Sequence, residues 1–238
     1  MSYRKIQLVL IIAIGLSACT SQQISSTLGT ILGDEELTTA EVGSGLKEAL
    51  VQGISKGSDA ASKEDGYFKN NAIKILFPPE AQKVESKLRQ IGLGKEVDKF
   101  VLALNRGAEL AANEAKPIFV TAIKSLTIQD AWAILKGEPN AATQYLQKTT
   151  SAQLHQKFQP IIHNSLQQVN ATKYYGDLVN TYNKIPLVKP VNPNLDEYAT
   201  DKAIDGLFVL VAKEEANIRA NPVARTTDLL KKVFAQAN

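Results

Sequence analysis

The stretch AIDGLFVLVAKEEANIRA, residues 203–220, decides the fold of this chain. Its apolar side chains recur at steps of three and four residues, which is the period of an α-helix. The run from Leu207 to Ala212 is hydrophobic on every side of such a helix, so we expect it to lie in the centre of the structure. The sequence therefore predicts a long central helix that begins at Asn194 or Asp196 and ends near Ala220.

The same spacing recurs over much of the remaining chain. From Leu93 to Leu126 the apolar residues again follow steps of three and four, and Pro117 breaks or kinks this pattern. No glycine-flanked alternation of β-branched residues sustains a sheet. We therefore predict an all-α fold, a single helical-bundle-like domain of about seven to nine helices over residues 38–238.

Capping residues indicate where two of these helices begin. Thr38 followed by Glu41 resembles a capping box, and Thr127, with Asp130 three residues on, is expected to cap a short helix that ends at Gly137. The helix that follows Thr38 is expected to end near Ala61 and contains four glycines. Because glycine weakens a helix, we expect this one to pack closely against a neighbour or to be mobile.

Prolines and irregular composition mark the breaks between helices. Pro79 suits a first helical turn, and Pro160 is expected to interrupt a helical region over residues 139–169. The segment IPLVKPVNPN, residues 185–194, is the clearest loop. The segment IKILF, residues 73–77, is either a short strand or an extended apolar plug.

The N-terminus has the pattern of a bacterial export signal. Arg4 and Lys5 precede an apolar run too short to span a bilayer, which needs about 20 apolar residues. The segment LSAC, residues 16–19, resembles a lipobox, where lipoprotein precursors gain a diacylglyceryl thioether and are cut just before the cysteine. We predict a cleaved signal peptide over residues 1–18 and lipid attachment at Cys19. The alternative is an ordinary signal peptide with a chance cysteine.

The lipid at Cys19 would anchor the domain to a membrane. Two or more acyl chains hold a protein stably, because each buried methylene contributes about 0.8 kcal/mol. Residues 19–37, rich in Ser, Thr, Gln and Gly, indicate a lipidated N-terminus and a short spacer. Thr20 and Ser21 follow the cysteine where an aspartate would favour the inner membrane. By resemblance to other lipoproteins, we expect the outer membrane, with the domain facing the periplasm.

The composition of the chain favours a globular domain and argues against a nucleic-acid partner. Hydrophobic residues make up 44% of the chain, enough for a sizeable core. The formal charge of +3 falls to about +1 when Arg4 and Lys5 are removed with the signal peptide. No long Lys/Arg cluster is present, so the electrostatic basis for binding nucleic acid is missing.

Polar residues on otherwise apolar helix faces are the candidate functional residues. Glu215 falls four residues after Val211 on the apolar face, where Arg219 can pair with it one turn further. Such pairs can form a catalytic or ligand-binding site, or they can fix the register of helices. The sequence is compatible with either role. The candidate residues are Asn105, Arg106, Glu109, Glu215, Arg219 and Arg225.

The sequence indicates no catalytic residue, metal site or cofactor. His155 and His163 are eight residues apart, too far along a helix to chelate one metal unaided, and no cysteine remains after lipidation. A GxSxG nucleophile motif is absent. The aromatic segment YYGDLVNTY, residues 174–182, lines an apolar cleft or forms an edge of the core.

Two long segments resemble a known bacterial family. These are residues 105–137, NRGAELAANEAKPIFVTAIKSLTIQDAWAILKG, and residues 202–234, KAIDGLFVLVAKEEANIRANPVARTTDLLKKVF. They are similar to the family catalogued as domain of unknown function 4197, and the resemblance covers about residues 40 to 236. It implies an exported helical protein with no assigned activity or catalytic residues. The family's recurring polar elements fall on Asn105, Arg106, Glu214, Glu215, Ile218, Arg219, Arg225, Thr226 and Thr227.

Three functions are compatible with these features. The leading hypothesis is an envelope lipoprotein whose non-enzymatic helical domain binds an envelope protein or an apolar ligand such as lipid. The second is a periplasmic hydrolase that uses Glu215 with Arg219, Arg225 or Asn105. The third is a purely structural envelope protein.

Overall fold

A computed structural model describes residues 38–184, 186–187, 189–225 and 227–235 of the chain. Within these residues the protein is all-α, with no strand, and forms a single helical domain, as the sequence predicts. The predicted signal peptide, Cys19 and the spacer lie outside the described residues. The α-helices are α1 Thr39–Ser62, α2 Gln82–Gln90, α3 Gly94–Ala112, α4 Ala115–Lys124, α5 Ile128–Lys136, α6 Ala141–Gln168, α7 Ala171–Asn183, α8 Leu195–Ala220 and α9 Asp228–Ala235.

Helix α8 contains the decisive stretch and lies at the centre of the fold. It packs against α1, α3, α6 and α7, and its residues Leu207, Phe208, Leu210 and Val211 are buried. Val209 departs from the expected all-round burial, because 47% of its surface is exposed. The central position of α8 predicted from its hydropathy is therefore confirmed, with one side open to solvent.

Glycines allow α1 to approach α8 and α9 closely. A Cβ atom on Gly57 would lie 3.5 Å from the backbone nitrogen of Val211 in α8. A Cβ atom on Gly45 would lie 2.8 Å from a methyl carbon of Val233 in α9. Of the two alternatives for this glycine-containing helix, close packing against neighbours is the one that these contacts support.

Local capping signals place several helix ends correctly. The side chain of Thr127 accepts a hydrogen bond from the backbone nitrogen of Asp130 at 3.1 Å, and the reciprocal bond completes a capping box for α5. Asn194 caps α8 by accepting a bond from the backbone nitrogen of Glu197 at 3.1 Å. Pro79 opens a 3₁₀ turn, Pro79–Ala81, directly before α2.

The structure corrects one expectation about irregular segments and decides between the two alternatives for another. Helix α6 runs unbroken through Pro160, although proline removes one helical hydrogen bond. Burial of Leu154, Phe158, Ile162 and Leu166 on both sides of Pro160 holds the helix together. Residues 73–77 form no strand; this irregular segment buries Ile73, Ile75 and Phe77 instead, which supports the plug alternative.

Among the described helices, no single one has both the length and the hydropathy of a membrane-spanning segment. One pair, Gly94–Lys124 with Ile128–Lys136, meets these criteria jointly but is bent by 107°.

Two glycine-to-alanine replacements are expected to change stability in opposite directions. A Cβ atom on Gly206 would lie 2.8 Å from the fully buried ring of Tyr67 and 3.1 Å from Ile73, so Gly206→Ala should lower the free energy of unfolding by about 1–3 kcal/mol. A Cβ atom on Gly176 in α7 meets nothing within 4 Å among the described residues, so Gly176→Ala should raise the free energy of unfolding by about 0.4–1 kcal/mol. Urea denaturation of the two variants checks both signs, and equal effects would contradict this packing.

Candidate functional site

Glu109 on α3 anchors the segment that follows α1. Its Oε1 accepts hydrogen bonds from the backbone nitrogens of Tyr67 and Phe68, at 3.0 and 3.1 Å. Its Oε2 accepts a bond from Arg106, whose Nη2 also lies 2.8 Å from Oδ1 of Asp65. Bonds from Lys69 and Arg106 hold the pKa of Asp65 below its usual value. The buried carboxylate of Glu109 is thus fully engaged in fixing a loop.

Asn105 fixes the next part of the same segment. Its amide oxygen accepts a bond from the backbone nitrogen of Ile75, and its amide nitrogen donates to the carbonyl of Ile75, both at 2.8 Å. The same nitrogen also donates to the carbonyl of Val101 at 2.7 Å. Asn105 has no exposed surface, and these bonds use both of its donors. Asn105 therefore holds Ile75, in the middle of residues 73–77, against α3.

Glu215 on α8 caps the N-terminus of α6 from outside that helix. Its carboxylate accepts bonds from the backbone nitrogens of Ala142 and Thr143, at 3.1 and 2.9 Å, and from the hydroxyl of Thr143 at 2.7 Å. Asn140, at the usual capping position, forms no side-chain capping bond. A carboxylate at this end of a helix accepts hydrogen bonds from free N–H groups and is attracted to the positive end of the helix dipole.

Arg219 and Arg225 cap the C-termini of two other helices. Nη2 of Arg219 lies 2.9 Å from Glu215 and donates to the carbonyl of Ile134, at 2.8 Å, in the last turn of α5. Nη2 of Arg225 donates at 2.8 Å to the carbonyl of Arg219, and its Nε donates to Ile218, in the last turn of α8. The two guanidinium groups satisfy carbonyls that have no partner within their own helices.

Five of the six sequence candidates form two groups that hold different parts of the fold, and the sixth, Arg225, caps the end of α8. Asn105, Arg106 and Glu109 hold the segment between α1 and α2, whereas Glu215 and Arg219 join α8 to the ends of α5 and α6. None of the six lines the apolar cleft that opens between α2, α3 and α7. Their geometry supports the interpretation that they fix helices and loops in place.

The two histidines each contact one carboxylate on α8. Nδ1 of His163 lies 2.5 Å from Oδ2 of Asp196, whose other oxygen accepts a bond from Thr172 at 3.0 Å. Nε2 of His155 lies 3.7 Å from Asp201. The described residues contain no group of three or more His, Cys, Asp or Glu side chains that could hold a metal ion.

Ser151 lies one turn before His155 and beside the same shallow pocket as Asp201. Its hydroxyl donates to the carbonyl of Gln147 at 2.6 Å, within its own helix. A serine nucleophile instead requires its hydroxyl to face a base. The geometry of these three residues is that of a helix surface.

A cleft with a volume of about 690 Å³ lies between α2, α3 and α7. Most of its lining residues are apolar, including Leu88 from α2, Val97 from α3, and Tyr174 and Leu178 from α7. This volume lies within the range of roughly 300–1,000 Å³ that is typical of small-molecule sites. Both alternatives for the aromatic segment that begins at Tyr174 are supported, because Tyr174, Tyr175 and Leu178 line the cleft while Tyr175 and Val179 are buried in the core.

Three aromatic rings form one wall of the cleft. The ring centres of Phe77 and Phe100 are 4.5 Å apart, and each lies 6.3 Å from the ring of Tyr175. The hydroxyl of Tyr175 points away to the carbonyl of Asn192, at 3.3 Å. Burial raises the pKa of Tyr175 to about 12, so this wall is uncharged at neutral pH. The sequence did not predict the contribution of Phe77 and Phe100.

The polar side chains of the cleft are exposed, at its outer edge. They belong to Glu96, Lys99, Gln168 and Asn170. Nζ of Lys99 lies 3.2 Å from Oε1 of Glu96, so these two charges neutralise each other. An apolar interior with a polar edge suits a ligand that has an apolar body and one polar end.

The fold and this cleft define an all-α, single-domain protein with an apolar ligand-sized recess. A family model described as "Protein of unknown function (DUF4197)" matches residues 36–235. The chain therefore belongs to that family, and the resemblance found in the sequence is confirmed. No curated protein and no solved structure matches the chain.

Proposed function

We propose that this chain is a non-enzymatic, lipid-anchored envelope protein whose helical domain binds the acyl chain of a lipid in the apolar cleft. The anchor is the lipid on Cys19, and the domain faces the periplasm from the outer membrane. The observation that carries the proposal is the cleft of about 690 Å³ with its aromatic wall and its exposed polar edge.

The lining of the cleft favours an acyl chain over a polar metabolite. Phe77, Phe100 and Tyr175 offer ring faces, and the aliphatic side chains around them offer no hydrogen bonds. Binding a sugar or nucleotide here would leave its polar groups without partners, which costs about 1–3 kcal/mol for each group. A hydrocarbon chain loses no hydrogen bonds and gains roughly 25 cal/mol for each Å² removed from water.

A hydrolase that uses Glu215 is not proposed, because no observation favours it. The carboxylate of Glu215 accepts hydrogen bonds from the backbone nitrogens of Ala142 and Thr143, from the hydroxyl of Thr143 and from Arg219. An acid or base in that position would have to break helix caps in order to reach a substrate.

Acyl-chain binding can be measured on the whole mature chain. Residues 19–238 with Cys19→Ser, exported behind an ordinary signal peptide, carry no attached lipid. We expect this protein to bind the fluorescent fatty acid cis-parinaric acid and to carry copurified lipid in native mass spectrometry. Leu93→Asp and Val169→Asp, which place a charge on partly exposed lining residues, should each lower the affinity about tenfold or more, because a carboxylate is poorly solvated beside an acyl chain.

Val223→Asp is the matched control, because Val223 is 86% exposed and does not line the cleft. This variant should bind cis-parinaric acid like the parent protein. The proposal fails if the parent protein binds neither the fatty acid nor lipid, or if all three aspartate variants bind the fatty acid equally. Capture of a protein partner with an empty cleft would favour the protein-binding alternative.

A further inference from the structure

Exposed apolar side chains are grouped where the cleft opens. Ile91, Leu93, Val169 and Tyr174 are exposed by 61, 42, 39 and 66%, and we call these four residues the cleft mouth. Leu93, Val169 and Tyr174 line the cleft, and Ile91 lies two residues before Leu93. Gly92, with φ of 92°, forms the tight turn between them. An apolar group of this kind, edged by polar residues, marks an interaction surface.

Helix α2, next to the cleft mouth, has the character of a surface-binding helix. None of its residues is buried, and it packs mainly against α3. Val84 and Leu88 are four residues apart and share one face of α2, and Ile91 follows directly after its last residue. Val84 and Leu88 are only half-buried, and a short amphipathic helix whose apolar face is partly open to solvent is suited to lie in the boundary of a lipid bilayer.

Lysines flank the apolar face of α2. Lys83 and Lys87 are one turn apart, each directly before an apolar residue of that face, and both are exposed. Neither forms an ion pair within the described residues, whereas Arg89 on the other side of the helix pairs with Glu85 and Asp98. Unpaired lysines beside an apolar face extend toward anionic headgroups while their aliphatic stems stay on the apolar surface.

We infer that the cleft mouth and α2 dock on the surface of an anionic phospholipid bilayer, so that an acyl chain passes between the membrane and the cleft without crossing water. This inference rests on the proposed function and names the partner of the same site. The occupant is a bilayer because aliphatic residues, an exposed tyrosine and unpaired lysines occur together there.

The test measures membrane insertion of the lipidated protein at single positions. The thiol of Cys19 is blocked by its lipid, so Ile91→Cys provides one reactive thiol for an NBD fluorophore. On vesicles of phosphatidylethanolamine and phosphatidylglycerol, we expect its emission to shift to shorter wavelength and to be quenched by brominated lipids. NBD at Leu110→Cys, a position that is 57% exposed and outside the cleft, should show neither effect.

Charge variants provide the second arm. Lys83→Gln with Lys87→Gln should reduce the ratio of docked to undocked domain roughly 25-fold, because each basic residue near an anionic surface contributes about fivefold. Lys148→Gln with Lys157→Gln removes the same charge from exposed positions of α6 and should leave docking unchanged. Equal NBD responses at residues 91 and 110, or equal effects of the two lysine pairs, would overturn the inference.

Different experimental results would contradict membrane docking and acyl-chain binding. If the Cys19→Ser chain binds cis-parinaric acid while NBD at residue 91 stays in water, the cleft binds acyl chains but its mouth does not dock. If NBD at residue 91 enters the bilayer while the cleft binds no fatty acid, the docking surface stands and the acyl-binding function does not.

Discussion

Replacing Glu215 with alanine is expected to lower the free energy of unfolding by about 3–5 kcal/mol, because one partner of a buried ion pair is removed. The change leaves Arg219 without its carboxylate and leaves two N–H groups at the start of α6 without an acceptor. Guanidinium denaturation, with a check that the slope is unchanged, measures the loss.

Asp205→Ala is the matched control on the same helix. Within the part of the chain that the structure describes, Asp205 forms only an exposed ion pair with Lys202, at 3.1 Å, so its removal should cost about 0.2–1 kcal/mol. Arg219→Ala should be destabilising like Glu215→Ala, and the double variant should lose less than the sum of the two losses, since the two residues act on one contact. If Glu215→Ala removes a cellular phenotype or ligand binding without lowering stability, Glu215 belongs to a site rather than to the scaffold.

The fold was predictable where the signal is local. The three- and four-residue spacing of α8 and the capping box of Thr127 and Asp130 act within a few residues, so the sequence displays them directly. Pro160 shows the limit of a local rule. Its missing hydrogen bond weakens α6, but Phe158 and Ile162, both fully buried, outweigh that cost through contacts made elsewhere in the fold.

The polar candidates and the pairing of Glu215 with Arg219 were found in the sequence, and the structure confirms that ion pair at 2.9 Å, but the helix ends that the two residues cap were not found. A charge at an apolar position indicates that some buried partner exists, without identifying it. Beyond each other, Glu215 and Arg219 bond to backbone atoms 72 to 85 residues away, in Thr143, Ala142 and Ile134. Any residue has these backbone atoms, so no side-chain pattern reveals that two helix ends meet there.

The cleft was predictable only on one side. Tyr174 and Tyr175 stand in an aromatic segment that already indicated a cleft or a core edge, whereas Phe77 follows an irregular segment and Phe100 lies on another helix. Asn105 brings these walls together, because its bonds to Ile75 hold the segment before Phe77 against α3. The side chain of Asn105, which holds the segment before Phe77 in place, therefore also positions one wall of the apolar cleft.

Cys19→Ser is expected to release the protein from the membrane. The proposed diacylglyceryl group adds two acyl chains, and at about 0.8 kcal/mol for each buried methylene their loss removes stable anchoring. Behind an ordinary cleavable signal peptide, the variant should incorporate no labelled palmitate and should move from the washed membrane fraction to the soluble periplasmic fraction. Ser21→Ala, two residues further on, should keep both palmitate and membrane association.

A second change at the N-terminus tests which membrane holds the anchored protein. Thr20→Asp places an aspartate directly after the lipidated cysteine, the arrangement that tends to retain lipoproteins of this type at the inner membrane. We expect this variant to keep its palmitate and to move from outer to inner membranes in a sucrose gradient. If Cys19→Ser stays in the membrane fraction as the parent does, the lipid does not hold the protein there; docking by the cleft mouth alone would then have to account for the association, and the lysine variants of α2 would abolish it.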